Sequence, residues 1–173
     1  MNTRPLLVLA DRLDAFAEWT GRAVAWLTLG IVLVTFAVVV LRYAFNLGWI
    51  AMQESVLYLH AAVFMLGAAY TLKQGGHVRV DIFYRRLSAT ARAWIDLCGV
   101  LFLLLPVCVF LLWVSGDYVA SAWSVREGSR EAGGLPGVYL LKTVIPLMAA
   151  LLILQGISQL CRSLALLLGE EAA

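Results

Sequence analysis

The residues with the most chemistry to offer sit in and just after one apolar stretch. Ile50 to Leu72 is a hydrophobic run that carries Gln53, Glu54 and His60 inside it, and Lys73-Gln74-Gly75-Gly76-His77-Val78-Arg79-Val80-Asp81 follows. A charge at membrane depth costs roughly 2.5–3.5 kcal/mol on insertion scales, so polar groups in such a run are kept for contact with protein rather than lipid. His60, near the middle of the run, is also of the type that relays protons. His77 and Asp81 are both metal-ligating types, but two ligands four apart, with no cysteine or further histidine, fall short of a metal site. Cys98, Cys108 and Cys161 are odd in number, lie within or at the end of apolar runs and show no Cys-x-x-Cys spacing, as expected of buried thiols acting as small hydrophobes. There is no Gly-x-x-x-x-Gly-Lys-Ser/Thr loop. His60 at mid-span and His77 near the membrane surface cannot face each other across a haem. The expectation is a protein that is not an enzyme, with no catalytic, substrate-binding or metal-binding residues and no cofactor.

What these side chains can do is pack helices. Gln53, His60, Gly67 and Gln74 form one heptad series and Glu54, Ala61, Ala68 and Gly75 the adjacent one, a stripe of small and polar residues. In lipid, helices associate through close approach at small residues and through interhelical hydrogen bonds. The stripe serves packing either within this chain or against another subunit. Gln155, Gln159 and Arg162 form a second polar line.

The elements that position these groups follow from composition. The chain has 173 residues, 62% hydrophobic and 14% charged, with a mean hydropathy of +0.88, which excludes a soluble domain. A spanning helix needs about 20 predominantly apolar residues. Four such stretches fit, at about 23–45, 50–72, 93–116 and 138–161, leaving one all-α integral membrane domain over residues 1–173. The net charge of +2 gives no footing for nucleic acid.

Leu6, Leu9, Leu13 and Phe16 recur at helical spacing with charges on other faces, predicting an N-terminal amphipathic helix in the membrane interface. The apolar run Leu6 to Ala10 is too short for a secretory signal. Asn46-Leu47-Gly48 turns the chain into an antiparallel hairpin. Arg42, about one turn inside the first span, and Glu54, about one turn inside the second, then share a depth, and an ion pair between them is expected. Lys73, Arg79, Arg85, Arg86 and Arg92 crowd the link after the second span, which places that link and both termini in the cytoplasm. Val80, Phe83, Leu87 and Trp94 predict a surface helix in this link, with Asp81 as its N-cap. Pro106 should kink the third span. The loop from Glu127 to Pro136 is expected to be an ordered connection or docking loop.

Trp49 and Glu54 opening the second span, Leu66-Gly67-Ala68-Ala69 near its end, then GGHVRVD through Asp81, and GLPG before Ile145-Pro146, carry a resemblance. In a four-span chain of this size, that order resembles the small membrane subunit of a tripartite ATP-independent periplasmic (TRAP) transporter, of the DctQ kind. The resemblance implies a bacterial inner-membrane scaffold beside a large, sodium-driven subunit that moves organic acids, with an outer surface offered to a periplasmic binding protein. Arg42, Trp49, Gln53, Glu54, His60, Gly67, His77, Asp81, Gln155 and Gln159 are the candidates for structural or partner-docking roles. The rival is an autonomous small carrier, or a proton-coupled membrane protein, using His60.

Overall fold

The computed structural model describes residues 3–77, 84 and 86–169, which are helical with no strand among them. Helix α1 is Arg4–Ala44, α2 is Ile50–Lys73 and α3 is Ala89–Gly99. A π-helical turn, Val100–Leu104, leads into α4, Leu105–Ser124, and α5 is Val138–Leu167. By length and composition α1, α2, the continuous rod 89–124 and α5 are each able to cross a membrane. They run up and down, so both ends of the described chain lie at one end of the bundle, here called the termini end; the 45–49 and 125–137 connections lie at the opposite, loop end.

Each boundary has a local cause. Pro5 lies in the first turn of α1, where its missing N–H costs nothing. Asn46, at φ 55°, turns the chain out of α1 as the Leu47 amide bonds the Leu41 carbonyl at 2.9 Å. Gly75 ends α2 at φ 65°, with its own amide on Leu72 O and the Gly76 amide on Thr71 O, so two otherwise orphaned carbonyls are satisfied. The Ser88 hydroxyl caps α3 by accepting from the Ala91 amide. Pro106 has no N–H, and its ring would crowd the carbonyl four residues back. The rod absorbs this by widening one turn, in which the Leu105 amide reaches five residues back to Val100 O. Val100 and Leu104 of that turn pack on Gly156 of α5.

Helix α5 is the hub. It packs against α1, α2, α3 and α4, whereas α1 packs chiefly on α2 and α5. Accordingly, α5 holds most of the buried residues, among them Ala149, Gln155, Gly156, Ser158, Cys161, Ser163 and Ala165.

One expectation needs revision. The N-terminal amphipathic segment is no separate helix: nothing between Arg4 and Ala44 breaks the backbone, so it is the first part of a 41-residue α1. At about 1.5 Å per residue α1 is about 60 Å long, twice the ~30 Å hydrocarbon core, which leaves its charged N-terminal part clear of the apolar layer. The third helical rod runs 89–124 and so extends past both ends of the expected span 93–116, because Ser88 supplies a start and Gly116-Asp117 does not stop the helix. The expected surface helix and its Asp81 cap lie outside the described residues.

Candidate functional site

Polar side chains fasten the bundle at both ends. At the termini end, α1 faces α5 and α2. The Asp14 carboxylate accepts from Gln155 Nε2 at 2.9 Å, from the Ser158 hydroxyl, and from Arg162 Nε and Nη2 at 2.9 and 2.6 Å. Ser158 also donates to the Ala10 carbonyl. Arg162 reaches Asp11 at 2.7 Å as well. One turn on, Glu18 binds Lys73 of α2 at 2.6 Å, Gln74 at 3.2 Å and its own-helix neighbour Arg22 at 2.8 Å. The spacing of Asp11, Asp14 and Glu18 puts one carboxylate per turn on the face of α1 that meets the ends of α5 and α2.

At the loop end the 125–137 connection folds over the start of α2. The Glu54 carboxylate accepts from the Ser129 hydroxyl and, at 2.7 Å, from the Leu135 amide. Gly134 lies so close that a Cβ there would come within 2.5 Å of Ser129 Oγ and 2.8 Å of Glu54 Oε2. The loop is further tied by Ser129 N to Leu135 O and Tyr139 N to Glu127 O. Lys142 of α5 pairs with Glu127 and lies 4.0 Å from the centroid of the Tyr118 ring. Trp123 donates to Thr143 at 2.8 Å and meets Tyr139 edge-on. The chain leaves α4 through Arg126 at φ 46°, a left-handed residue without glycine's freedom.

The predicted residues therefore separate. Glu54 and Gln155 sit in these two clasps. Arg42 is exposed and makes no ion pair with Glu54: the loop supplies a hydroxyl and an amide to that carboxylate, and Arg42 is left on the surface. Trp49 is exposed and Gln53 half-buried. His60 is exposed on the outward face of α2 with its ring 4.5 Å from that of Phe64, and a Cβ on Gly67 would meet nothing within 4 Å. The His60–Gly67 part of the stripe faces away from the bundle, while Ala69 on the opposite side is buried. His77 is exposed just past α2. Gln159 is half-buried beside Arg162. Asp81 lies outside the described residues. Asp11, Asp14, Glu18, Ser129 and Lys142 are site residues that the sequence alone does not single out; the charge per turn along the start of α1 is visible there, but it reads as the polar side of an amphipathic helix in the membrane interface.

Among the described residues a hollow of about 510 Å³ at the termini end, beside Asp11, Glu18, Trp19 and Arg22, is an open surface depression that they do not enclose. Nor do they contain a group of three or more histidine, cysteine, aspartate or glutamate residues able to hold a metal.

A family model described as "Tripartite ATP-independent periplasmic transporters, DctQ component" matches residues 31–166. The chain belongs to the DctQ family. It is thus a small membrane component of a TRAP transporter, a multi-pass membrane protein and a transport component rather than a member of an enzyme family. DctQ components work with a large membrane subunit and a binding protein. No curated protein and no solved structure matches the chain. The DctQ match begins inside α1, after the Asp11–Glu18 charges, and takes in all of α2 to α4 and α5 through Leu166.

Proposed function

We propose that this chain is the static scaffold beside the large transport subunit of a sodium-driven TRAP transporter for organic acids. In this reading it sits in the bacterial inner membrane with the termini end in the cytoplasm, and its loop end contributes to docking the periplasmic binding protein. The observation that carries the proposal is the double fastening of the bundle. Asp14 ties α1 to α5 at one end, and Glu54 ties α2 to the 125–137 loop at the other. Polar contacts that span non-consecutive elements at both ends favour one rigid body over parts that move past each other. The braced loop 125–137 offers a fixed outer surface, as a docking element needs. Sodium coupling and organic acids follow from what the resemblance implies.

The rival reading, a carrier using His60, draws no support from His60 itself. Its ring lies against Phe64 on an outward face rather than in a chain of titratable partners. The test is purification of the full chain from native membrane, identification of co-eluting proteins by mass spectrometry, and reconstitution with and without them. A large membrane protein should co-elute, and uptake of an organic acid should require both chains. Sodium- or proton-driven uptake by this chain alone, abolished by His60→Ala with the fold intact, would reverse the assignment.

A further inference from the structure

Helix α2 has one side that nothing in the described chain covers. Toward α1, a Cβ on Gly21 would strike the Tyr70 ring, and one on Gly30 would lie 3.7 Å from Leu59. Toward the start of α5, Tyr58 comes within 3.6 Å of the Cβ position of Gly137. The remaining side carries Leu57, His60, Phe64, Gly67 and Thr71. Leu57, His60, Phe64 and Thr71 are exposed, and a Cβ on Gly67 would meet nothing within 4 Å. Their alternating steps of three and four residues form the two-per-heptad seam along which one helix packs lengthwise on another. At 1.5 Å per residue the seam is about 21 Å long, most of the ~30 Å hydrocarbon core.

The seam is too polar for lipid. His60 stands about 15 Å from the Ile50 end of α2 and about 20 Å from the Lys73 end, far from either headgroup layer. Its ring lies against Phe64 and forms no hydrogen bond among the described residues. Thr71, by contrast, donates its hydroxyl to the Gly67 carbonyl at 3.1 Å. An imidazole offers both a donor and an acceptor, and an acyl chain can satisfy neither. A second copy of this chain complements the seam poorly. Two copies in the same membrane orientation, related by a two-fold axis, would set each seam residue against itself. Phe64 against Phe64 would hold the helices apart while Gly67 against Gly67 left a gap. A different helix can answer each feature, with a small residue opposite Phe64, a bulky apolar one over Gly67 and a hydrogen-bonding group opposite His60.

DctQ components work with a large membrane subunit. Resting on the scaffold reading, we infer that the Leu57–Thr71 side of α2 is the surface on which a transmembrane helix of that subunit lies. It crosses at about +20°, with a hydrogen-bonding side chain on the His60 imidazole and a bulky residue in the Gly67 notch.

The test places photo-reactive benzoylphenylalanine at Leu57, Phe64 or Thr71 of the full chain in its native membrane, with Trp113, exposed on α4, as the comparison position. Captured molecules are identified by mass spectrometry. The α2 positions should capture the large membrane subunit well above the level from the Trp113 position. Gly67→Leu should leave unfolding of the full chain in micelles unchanged, since the space there is open, yet lower the amount of co-purified large subunit about tenfold. His60→Leu should lower it about threefold, whereas His60→Gln, which keeps a donor and an acceptor, should retain most of it. Capture of the large subunit from the Trp113 position but not from α2, or undiminished co-purification with both Gly67→Leu and His60→Leu, would overturn this surface and leave the scaffold reading standing. Capture of lipid alone or of a second copy of this chain from the α2 positions would overturn it too, as would unfolding of Gly67→Leu by itself, which would mean that the notch serves the chain's own packing. If the unmodified chain brings down no large membrane protein, the scaffold reading fails and this surface fails with it.

Discussion

Removing the Asp14 carboxylate should loosen α1 from α5 by a predictable amount. Asp14 accepts four hydrogen bonds from three residues of α5. In Asp14→Ala, Ser158 keeps the Ala10 carbonyl. Gln155 is worse placed: it is 4% exposed, and its Oε1 already lacks a partner, so its amide is left wholly unpaired. An orphaned buried polar group costs about 1–3 kcal/mol. The Arg162 side chain is 40% exposed and retains Asp11, so its share is that of a solvent-exposed pair, about 0.2–1 kcal/mol. The expected loss is therefore about 2–3 kcal/mol for Asp14→Ala. For Asp14→Asn, which keeps one acceptor oxygen, it is about half that. Reversible unfolding of the full chain in mixed micelles measures both, and a double-mutant cycle with Gln155→Leu should show coupling of about 1 kcal/mol, since leucine removes the group that Asp14 would otherwise leave stranded. An Asp14→Ala cost under ~0.5 kcal/mol, or additivity with Gln155→Leu within ~0.3–0.5 kcal/mol, would refute the reasoning.

At the loop end, Glu54→Ala should speed hydrogen exchange at the Ser129 and Gly134 amides while Arg42→Ala leaves them unchanged; the opposite ranking would restore the Arg42–Glu54 pair. Gly134→Ala should have the same effect on the loop, because its Cβ would collide with Ser129 and Glu54; protease nicking between 126 and 137 gives the readout. Arg126→Gly should raise stability by about 1 kcal/mol by relieving a left-handed conformation that costs L-residues about that much; a loss would mean that the Arg126 side chain holds the loop. For orientation, a thiol at Ser88 should be shielded from an impermeant reagent in intact cells and one at Ser129 labelled, and the reverse pattern would invert the bundle.

Periodicity and composition carried the four apolar helices, the glycine stop after α2 and the disturbance at Pro106, because each is written within a few residues of where it acts. What could not be read was which residues meet across the bundle. Arg42 and Glu54 share a depth, yet a loop far along the chain supplies Ser129 and the Leu135 amide to Glu54 first. The charges of α1 read as the polar side of an interfacial amphipathic helix because Arg162, their partner, is distant in sequence. The His60 and Gly67 stripe was legible as a stripe, but its direction was not. Only the placement of α5 on the other side of α2 turns it outward.

That outward stripe bears on the scaffold reading. Within the apolar layer the chain satisfies itself with small residues, as in the packing of Gly156 on Val100 and Leu104, and keeps its hydrogen-bonded clasps for the two ends. His60 breaks this division. It sits well inside α2, exposed, on the same face as the open notch at Gly67. In hydrocarbon an imbalance of that kind is unfavourable, and a facing helix with a hydrogen-bonding group and close backbone approach at the glycine would remove it. A companion subunit of a larger assembly accounts for both features at once. A self-contained carrier would need the polar group turned toward its own interior.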